Sequence, residues 1–292
     1  MFISNIFNIF LYIVCLRYED FCYSSDMDLL QPEKYLFNNI APKIIALVLS
    51  FNGTASVSVK KSPGDYATEV DVAVENLIVD EIQRRFPKDA ILAEEGHSQT
   101  TIADERIWII DPICGTTNIG RGMKNFCTNI ALADHMDLIA SCVIDHSTGD
   151  VLWSVGDKRV YVNNQLFEYI QPDGDFGVVV DVDFGSLDAT RREVRNNFSK
   201  TIKLLLTSSD YMITSLNSSL AFAYTSIGKI DGFINSYNHP WDIYAASFLL
   251  QQTGCTITAL DGRPWTITTV GAIGAYRAEI HRKLLGAYLE SL

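Results

Sequence analysis

Acidic side chains stand at the ends of three separated segments of this 292-residue chain, each of which looks like a strand or a helix start. Glu94 follows the apolar run Ile91–Ala93, Asp111 follows a second apolar run, and Asp242 opens the helix-like stretch Trp241–Thr253. A carboxylate in such a place is more often a solvated turn residue or a helix cap than part of a site. Taken singly, none of the three indicates a function.

The segment around Asp111 is more informative than the other two. The strand-like run Arg106–Ile110 leads directly into Asp111-Pro112, and Gly115-Thr116-Thr117 follow. Glycine permits a close backbone approach, and free N–H groups at a helix start bind phosphate. A carboxylate beside a phosphate favours a hard cation that bridges the oxygens of both. The residues alone leave two hypotheses open, a metal-assisted phosphate site and a capped structural turn.

The pattern before residue 157 predicts an α+β arrangement. A first helix is expected over Leu29–Leu49, and Thr68-x-x-Asp71 has the form of a capping box, which predicts a second helix that ends at Phe86-Pro87. Alternating and apolar runs then predict the strands Ile91–Ala93, Arg106–Ile110, Asn129–Leu132, Leu138–Ile144 and Val151–Val155.

The pattern after residue 157 changes to an alternation typical of an α/β half. The expected elements are a strand over Gly177–Val182, helices over Leu187–Leu206 and Leu216–Ile227, a strand over Ile230–Ile234 and a helix over Trp241–Thr253. We therefore predict two halves, residues 27–156 and 157–292. Residues 1–26 are expected to be an N-terminal extension, whose apolar run Phe2–Leu16 is shorter than the ~20 residues of a membrane span and lacks the basic region and cleavage site of a signal peptide. An upstream extension and a weak membrane anchor both stay open.

Charge and cysteine usage narrow the possible partners. With 23 Lys plus Arg against 35 Asp plus Glu, the net charge is −12, which repels nucleic acid and anionic lipid. We expect no nucleic-acid partner, and a phosphorylated ligand would need locally bound cations. None of the six cysteines forms a Cys-x-x-Cys pair, so free thiols in a reducing, cytoplasmic environment are expected.

Residues 108–118 resemble the signature of the inositol monophosphatase family, magnesium-dependent phosphatases of sugars and nucleotides. The signature reads Trp, two apolar residues, Asp-Pro, Ile or Leu, Asp-Gly-Thr, Thr or Ser, and Asn, and this chain departs from it only at Cys114. Three further motifs occur in the family's order: Asp65/Thr68/Asp71, Glu94-Glu95 and Trp241-Asp242. The resemblance runs from about residue 30 to the C-terminus. It implies a layered αβαβα sandwich and, since family members are commonly dimers, a homodimer.

The resemblance also implies a role for each matched position. Glu94, Asp111 and the carbonyl oxygen of Ile113 would hold a first Mg²⁺, and Asp111 would share a second with Asp242 and residue 114. Glu94, Thr116 and Asp71 would orient and activate the attacking water. The backbone N–H groups of Gly115 and Thr116 would bind the phosphate, and the substrate would contact Asn217, Ser218 and Asn235. The substrate would be a small phosphorylated metabolite.

Cys114 stands where the family carries an aspartate. A thiol prefers softer metals than Mg²⁺, and at its ordinary pKa of about 8.5 it is mostly neutral at pH 7. We expect a weakened second site and a rate lower by about 10²–10³. The substrate side departs as well, because Asn235 replaces a family glutamate and Asn217-Ser218-Ser219 replaces a Gly-Ser/Thr-Ala turn.

Three functional hypotheses follow from these residues. The first is a magnesium-dependent phosphomonoester hydrolase, supported by Glu94, Asp111 and Asp242. The second is a family member that binds a phosphorylated ligand or a partner protein without turnover, supported by Cys114 and Asn235. The third, an enzyme that uses Cys114 as a nucleophile or redox group, lacks a Cys-x₅-Arg phosphate loop.

Overall fold

A computed structural model describes residues 31–51, 57–62, 65–96, 100, 102, 105–169, 177–183, 192–236 and 239–292. The helices are α1 Pro32–Ser50, α2 Glu69–Arg85, α3 Thr116–Gly120, α4 Arg192–Ser208, α5 Leu220–Ser226, α6 Pro240–Gln252 and α7 Ala278–Glu290. The strands of the first half are β1 Val57–Ser62, β2 Asp65–Thr68, β3 Ala90–Ala93, β4 Ile107–Cys114, β5 Cys127–Asp134, β6 Asp137–Asp145, β7 Val151–Ser154, β8 Tyr161–Val162 and β9 Gln165–Leu166. Those of the second half are β10 Val178–Asp183, β11 Tyr211–Thr214, β12 Gly232–Asn235, β13 Thr256–Thr258 and β14 Ala272–Ala275.

The first half forms a seven-stranded sheet in the order β3-β4-β5-β6-β7-β8-β9. Only β3 and β4 are parallel, and every later pair is antiparallel. Strand β4 continues past its expected end at Ile110 to Cys114. Its pairing with β5 is interrupted after Asp111 and resumes at Cys114, because Pro112 has no N–H for the ladder.

The second half forms a five-stranded sheet in the order β11-β10-β12-β14-β13. The strands β11, β10 and β12 are parallel, as expected for an α/β half, whereas β14 and β13 run antiparallel to their neighbours. The strands β11, β13 and β14 and the helix α7 are not among the elements expected from the sequence.

The helices and sheets alternate in layers, which confirms the αβαβα arrangement. Helices α1 and α2 pack on one face of the seven-stranded sheet, α5 and α6 lie between the two sheets, and α4 and α7 cover the outer face of the five-stranded sheet. Each interface between layers has its own apolar core. The middle core is the one that brings segments of the two halves together, since it contains β4 and β5 together with α5 and α6.

Two helices begin later than expected, and the expected start of a third lies outside the described residues. The helix expected from Leu216 begins only at Leu220, because Asn217 has a left-handed backbone with φ 51° that a helix cannot contain. The helix expected over Leu187–Leu206 runs over Arg192–Ser208, and residues 187–191 lie outside the described part. The first helix begins at Pro32, with residues 1–30 also outside that part, so the extension at 1–26 and the division after residue 156 stay predictions. Among the helices described, none has the length and apolar character that crossing a membrane requires.

Candidate active site

Asp111 is a fully buried carboxylate for which the described part of the chain supplies no hydrogen-bond partner. It sits on β4, whose eight residues are all buried between layers, and its side chain is 0% exposed. Neither carboxylate oxygen has a hydrogen-bond partner among the described residues. A buried carboxylate without hydrogen bonds or a counter-charge is strongly unfavourable, so this position requires either a proton or a cation.

Two other potential metal ligands face Asp111. One oxygen of Asp111, one oxygen of Asp242 and the sulfur of Cys114 all lie within 4.8 Å of one another. Burial raises the pKa of Asp111 well above its ordinary value, and the nearby Cys114, Glu94 and Asp242 raise this pKa further. Two carboxylates and a thiol therefore share a small space, with Glu94 near enough to affect the pKa of Asp111, which is the arrangement expected of a cation site.

Strand pairing and a buried glutamate place Glu94 beside this cluster. Because β3 pairs in parallel with β4, the turn after Ala93 lies next to Asp111, and the Glu94 N–H donates to the Ile110 carbonyl at 3.3 Å. The carboxylate of Glu75 on α2 accepts the N–H groups of Glu95 at 2.8 Å and Gly96 at 2.6 Å, which fixes this turn. Glu75 was not a predicted site residue.

Asp71 and Thr116 are in contact, as the resemblance implied. Asp71 is the N3 residue of α2, and it accepts the N–H of Thr68 at 2.9 Å and the Thr68 hydroxyl in the capping box that was predicted. It also accepts the Thr116 hydroxyl at 3.0 Å, while the Ile113 carbonyl lies 3.1 Å from the same hydroxyl. Burial raises the pKa of Asp71, although these hydrogen bonds act in the opposite direction.

Gly115 makes the sharp turn between β4 and α3. Its φ of +104° is one that L-residues rarely adopt, and an added Cβ would lie 3.0 Å from the Asn125 carbonyl oxygen and 3.1 Å from Ser218 Cβ. The first N–H groups of a helix have no intrahelical acceptors, so those of Thr116 and Thr117 are available to an anion.

The loop between β11 and α5 lies beside this turn and is fixed by hydrogen bonds to two other elements. The buried Asn118 amide on α3 donates to the carbonyls of Asn125 at 2.6 Å and Leu216 at 2.8 Å. From the other side, the Leu216 N–H donates to the Asp181 carboxylate on β10 at 2.8 Å. Asp181 and Asn118 were not predicted site residues, although Asn118 belongs to the signature and could have been taken as one.

The predicted substrate residues divide into two groups. Ser218 is buried beside Gly115, and Asn217 is exposed in the loop just described. Asn235 is buried at the end of β12, in register with Asp183 of β10. The roles of all three in binding stay predictions.

Cys114 contacts polar groups from distant parts of the sequence, which the residues next to it in the chain do not indicate. Its sulfur accepts the Ser219 N–H at 3.2 Å, and it lies opposite Cys127 in the β4–β5 ladder. A hydrogen bond with Cys127, followed by burial, raises the pKa of the Cys114 thiol. The Ser219 hydroxyl is in turn 2.6 Å from the Asn129 amide nitrogen, so this buried polar group links β5 to the start of α5.

These residues fit a bound divalent cation. The fully buried, unpartnered oxygens of Asp111 need positive charge, and Asp242 and Glu94 add carboxylates to the same space. The Ile113 carbonyl lies next to Thr116, at the edge of the same group. Predicted residues from three separated segments therefore converge on one site.

The layered fold occurs in solved phosphatase structures. An inositol monophosphatase (IMPase) from Thermotoga maritima superposes with a TM-score of 0.75 at 25% identity, covering 89% of this chain and 97% of that chain. A structure described as IMPase/NADP phosphatase complexed with NADP and Ca²⁺ has the same fold, with a TM-score of 0.74 at 20% identity over 88% of this chain and 95% of that chain.

Sequence comparison gives the same class. Residues 31–292 match the inositol monophosphatase family, and the chain belongs to that family. Inositol-1-monophosphatase of Bacillus subtilis is 25% identical over 83% of this chain and 90% of its own length. The Nus factor SuhB of Vibrio cholerae is 27% identical over 70% of this chain and 75% of its own length. Family and fold together indicate a phosphatase of a generally metal-dependent kind.

Proposed function

We propose that this protein hydrolyses a small phosphomonoester, such as inositol monophosphate or a sugar or nucleotide phosphate, with Mg²⁺ in its first metal site. The observation that supports this most directly is the buried Asp111 carboxylate, which has no hydrogen-bond partner among the residues that the structure describes and lies beside Cys114 and Asp242. A relative from Thermotoga maritima, 28% identical, is named as a fructose-1,6-bisphosphatase/inositol-1-monophosphatase, which fits substrates of this class. A cytoplasmic homodimer belongs to the same proposal.

The residues that would hold the cations come from both halves of the chain. Glu94, Asp111 and the Ile113 carbonyl would hold one ion, and Asp111 and Asp242 would hold another together with residue 114. Bound divalent cations lower the pKa of a water molecule and stabilise negative charge on a leaving oxygen.

Thr116 would orient the attacking water through its hydroxyl oxygen. A hydroxyl has a single hydrogen, and the Asp71 carboxylate is a stronger acceptor for it than the Ile113 carbonyl. With that hydrogen directed to Asp71, the Thr116 oxygen can only accept a hydrogen bond from the water. The Ile113 carbonyl then keeps its lone pairs for a cation. The N–H groups at the start of α3 would hold the phosphoryl oxygens.

The test of this proposal is phosphate release by the purified full-length chain with millimolar Mg²⁺ and a panel of phosphomonoesters. Asp111→Asn is expected to lower the rate by at least about 10²-fold, because it removes a charge shared by both cation positions. It is also expected to raise the free energy of unfolding measured without metal, because it removes a buried negative charge. Activity and stability would thus change in opposite directions, which loss of folding cannot imitate.

Asp137→Asn is the matched control, since this exposed carboxylate lies at the start of β6 and outside the cluster. It should leave the rate within a few-fold of the wild type. If neither the wild type nor Cys114→Asp releases phosphate from any of the substrates, the enzymatic proposal is contradicted.

A binding role without turnover is the second candidate. Relatives named as Nus factors match at 27% identity, and Cys114 lies inside the predicted metal cluster. Calorimetry with inositol monophosphate separates the two functions. Binding without phosphate release, unaltered by Cys114→Asp, would favour this second candidate.

A further inference from the structure

The sulfur of Cys114 is one of three potential ligands that share a single space. It lies within 4.8 Å of an oxygen of Asp111 and of an oxygen of Asp242, and these two oxygens also lie within 4.8 Å of each other. Two carboxylates and one thiol from β4 and α6 therefore face a common point.

Asp111 independently indicates that a cation belongs at that point. Its two oxygens are fully buried and have no hydrogen-bond partner in the described part of the chain. An acidic cluster on a protein surface is stabilised by water, whereas this carboxylate has no such compensation.

The donor set selects among divalent cations. Mg²⁺ requires a near-octahedral shell of oxygen ligands, and a sulfur atom is a poor substitute for one of them. Zn²⁺ accepts sulfur and carboxylate oxygen together, and a catalytic zinc ion has three protein ligands and one open position. The cluster supplies three ligands of these types.

We infer that Asp111, Cys114 and Asp242 form a site for Zn²⁺ or another thiophilic divalent cation, in preference to Mg²⁺. A part for this ion in hydrolysis rests on the proposed function, but its binding does not. The chain would then combine a site of oxygen ligands around Glu94 with an adjoining site of mixed sulfur and oxygen ligands that shares Asp111.

The surroundings of the ligands suit such a site. The Ser219 N–H donates to the Cys114 sulfur at 3.2 Å, and the His239 N–H donates to Asp242 at 2.7 Å. Hydrogen bonds of this kind orient metal ligands and tune their affinity. The Ser219 hydroxyl lies 3.3 Å from the sulfur of Cys127, so one residue contacts both cysteines.

The test uses Co²⁺ as a spectroscopic substitute for Zn²⁺ in the reduced full-length protein, without substrate. A Co²⁺–thiolate bond gives an intense near-ultraviolet charge-transfer band that oxygen ligands do not give. The band is expected in the wild type, absent in Cys114→Ser and retained in Cys127→Ser, which is the matched control at the facing buried cysteine. Zn²⁺ should bind Cys114→Ser at least about 100-fold more weakly by calorimetry.

Two results would overturn the inference. One is a wild-type protein that binds Co²⁺ without the band, and the other is a band that survives in Cys114→Ser. If Cys114→Ser does not fold, X-ray absorption of the wild type with one equivalent of Zn²⁺ decides, because a sulfur ligand at about 2.3 Å is expected and a shell of oxygen or nitrogen alone contradicts it. These readouts need no turnover, so a failure of the phosphatase proposal remains distinguishable from a failure of this one.

Discussion

At the scale of single residues, Thr116 and Thr117 have identical side chains in different surroundings. The Thr116 hydroxyl contacts Asp71 and the Ile113 carbonyl, whereas Thr117 is exposed on the first turn of α3. The pair therefore separates a positioned hydroxyl from the general effect of replacing a threonine.

We expect Thr116→Ala to lower the rate of phosphate release by about 10²-fold, because the attacking water loses the acceptor that orients it. Thr117→Ala should stay within a few-fold of the wild type, and both variants should unfold at similar urea concentrations. Steady-state phosphate release is the measurement. Equal losses in the two variants would contradict the role given to Thr116.

The contact of Asp71 with Thr116 could be predicted from the motifs, but the pairing of Cys114 with Cys127 could not. The first contact joins residues that are far apart in sequence and was implied by the family resemblance, whereas local spacing predicted only the capping box of Thr68 and Asp71. The second depends on how β4 and β5 resume their register after the irregularity at Pro112, and that register is set by tertiary packing. Glu75 was missed for a similar reason, because its partners are backbone N–H groups of a distant turn.

At the scale of elements, the connection from β4 to α3 depends on one glycine. Gly115 and Gly122 both have positive φ, at +104° and +71°, but only Gly115 has neighbours where a Cβ would stand. A side chain at either position would therefore strain the backbone, but only at Gly115 would it also meet neighbouring atoms.

Gly122→Ala should lower the free energy of unfolding by about 1–2 kcal/mol, the cost of a left-handed backbone at a residue with a side chain. Gly115→Ala should cost about 1–3 kcal/mol more, because the Asn125 carbonyl and Ser218 must also move. Urea unfolding measures both values. Equal costs would show that the turn tolerates a methyl group and that its close approach to Ser218 is unimportant.

Element types could be predicted more reliably than element ends. The strands β3 to β7 of the first sheet and the helix α6 follow from apolar runs and from Pro240 at the helix start, whereas the two-residue strands β8 and β9 were not predicted. The start of α5 was wrong because the apolar pattern continues through Leu216, while the chain there makes a left-handed turn at Asn217. That turn is fixed by hydrogen bonds to Asn118 and Asp181 from other elements.

At the scale of the whole molecule, Asp181 couples the stability of the protein to pH. Burial raises the pKa of Asp181 from 3.8 to about 7, the Leu216 N–H lowers it, and the nearby Asp183 raises it. The folded state therefore binds a proton that the unfolded state has already lost between these two pH values.

The free energy of unfolding should consequently fall as the pH rises from about 4 to about 7, by up to about 1.4 kcal/mol per pH unit from this group. Asp181→Asn should remove this component, since its amide oxygen can still accept the Leu216 N–H. Urea unfolding at a series of pH values compares the two proteins. A variant with the same slope as the wild type would contradict the assignment.

The ends of the two larger sheets limit how copies of this chain can associate. The seven-stranded sheet ends at the two-residue strand β9 and the four-residue strand β3, and the five-stranded sheet ends at strands of three and four residues. Edges this short offer few unpaired backbone groups on which an incoming strand could be templated. A homodimer of this chain should therefore not extend either of these two larger sheets, and its infrared amide spectrum should show no continuous β-structure built across them.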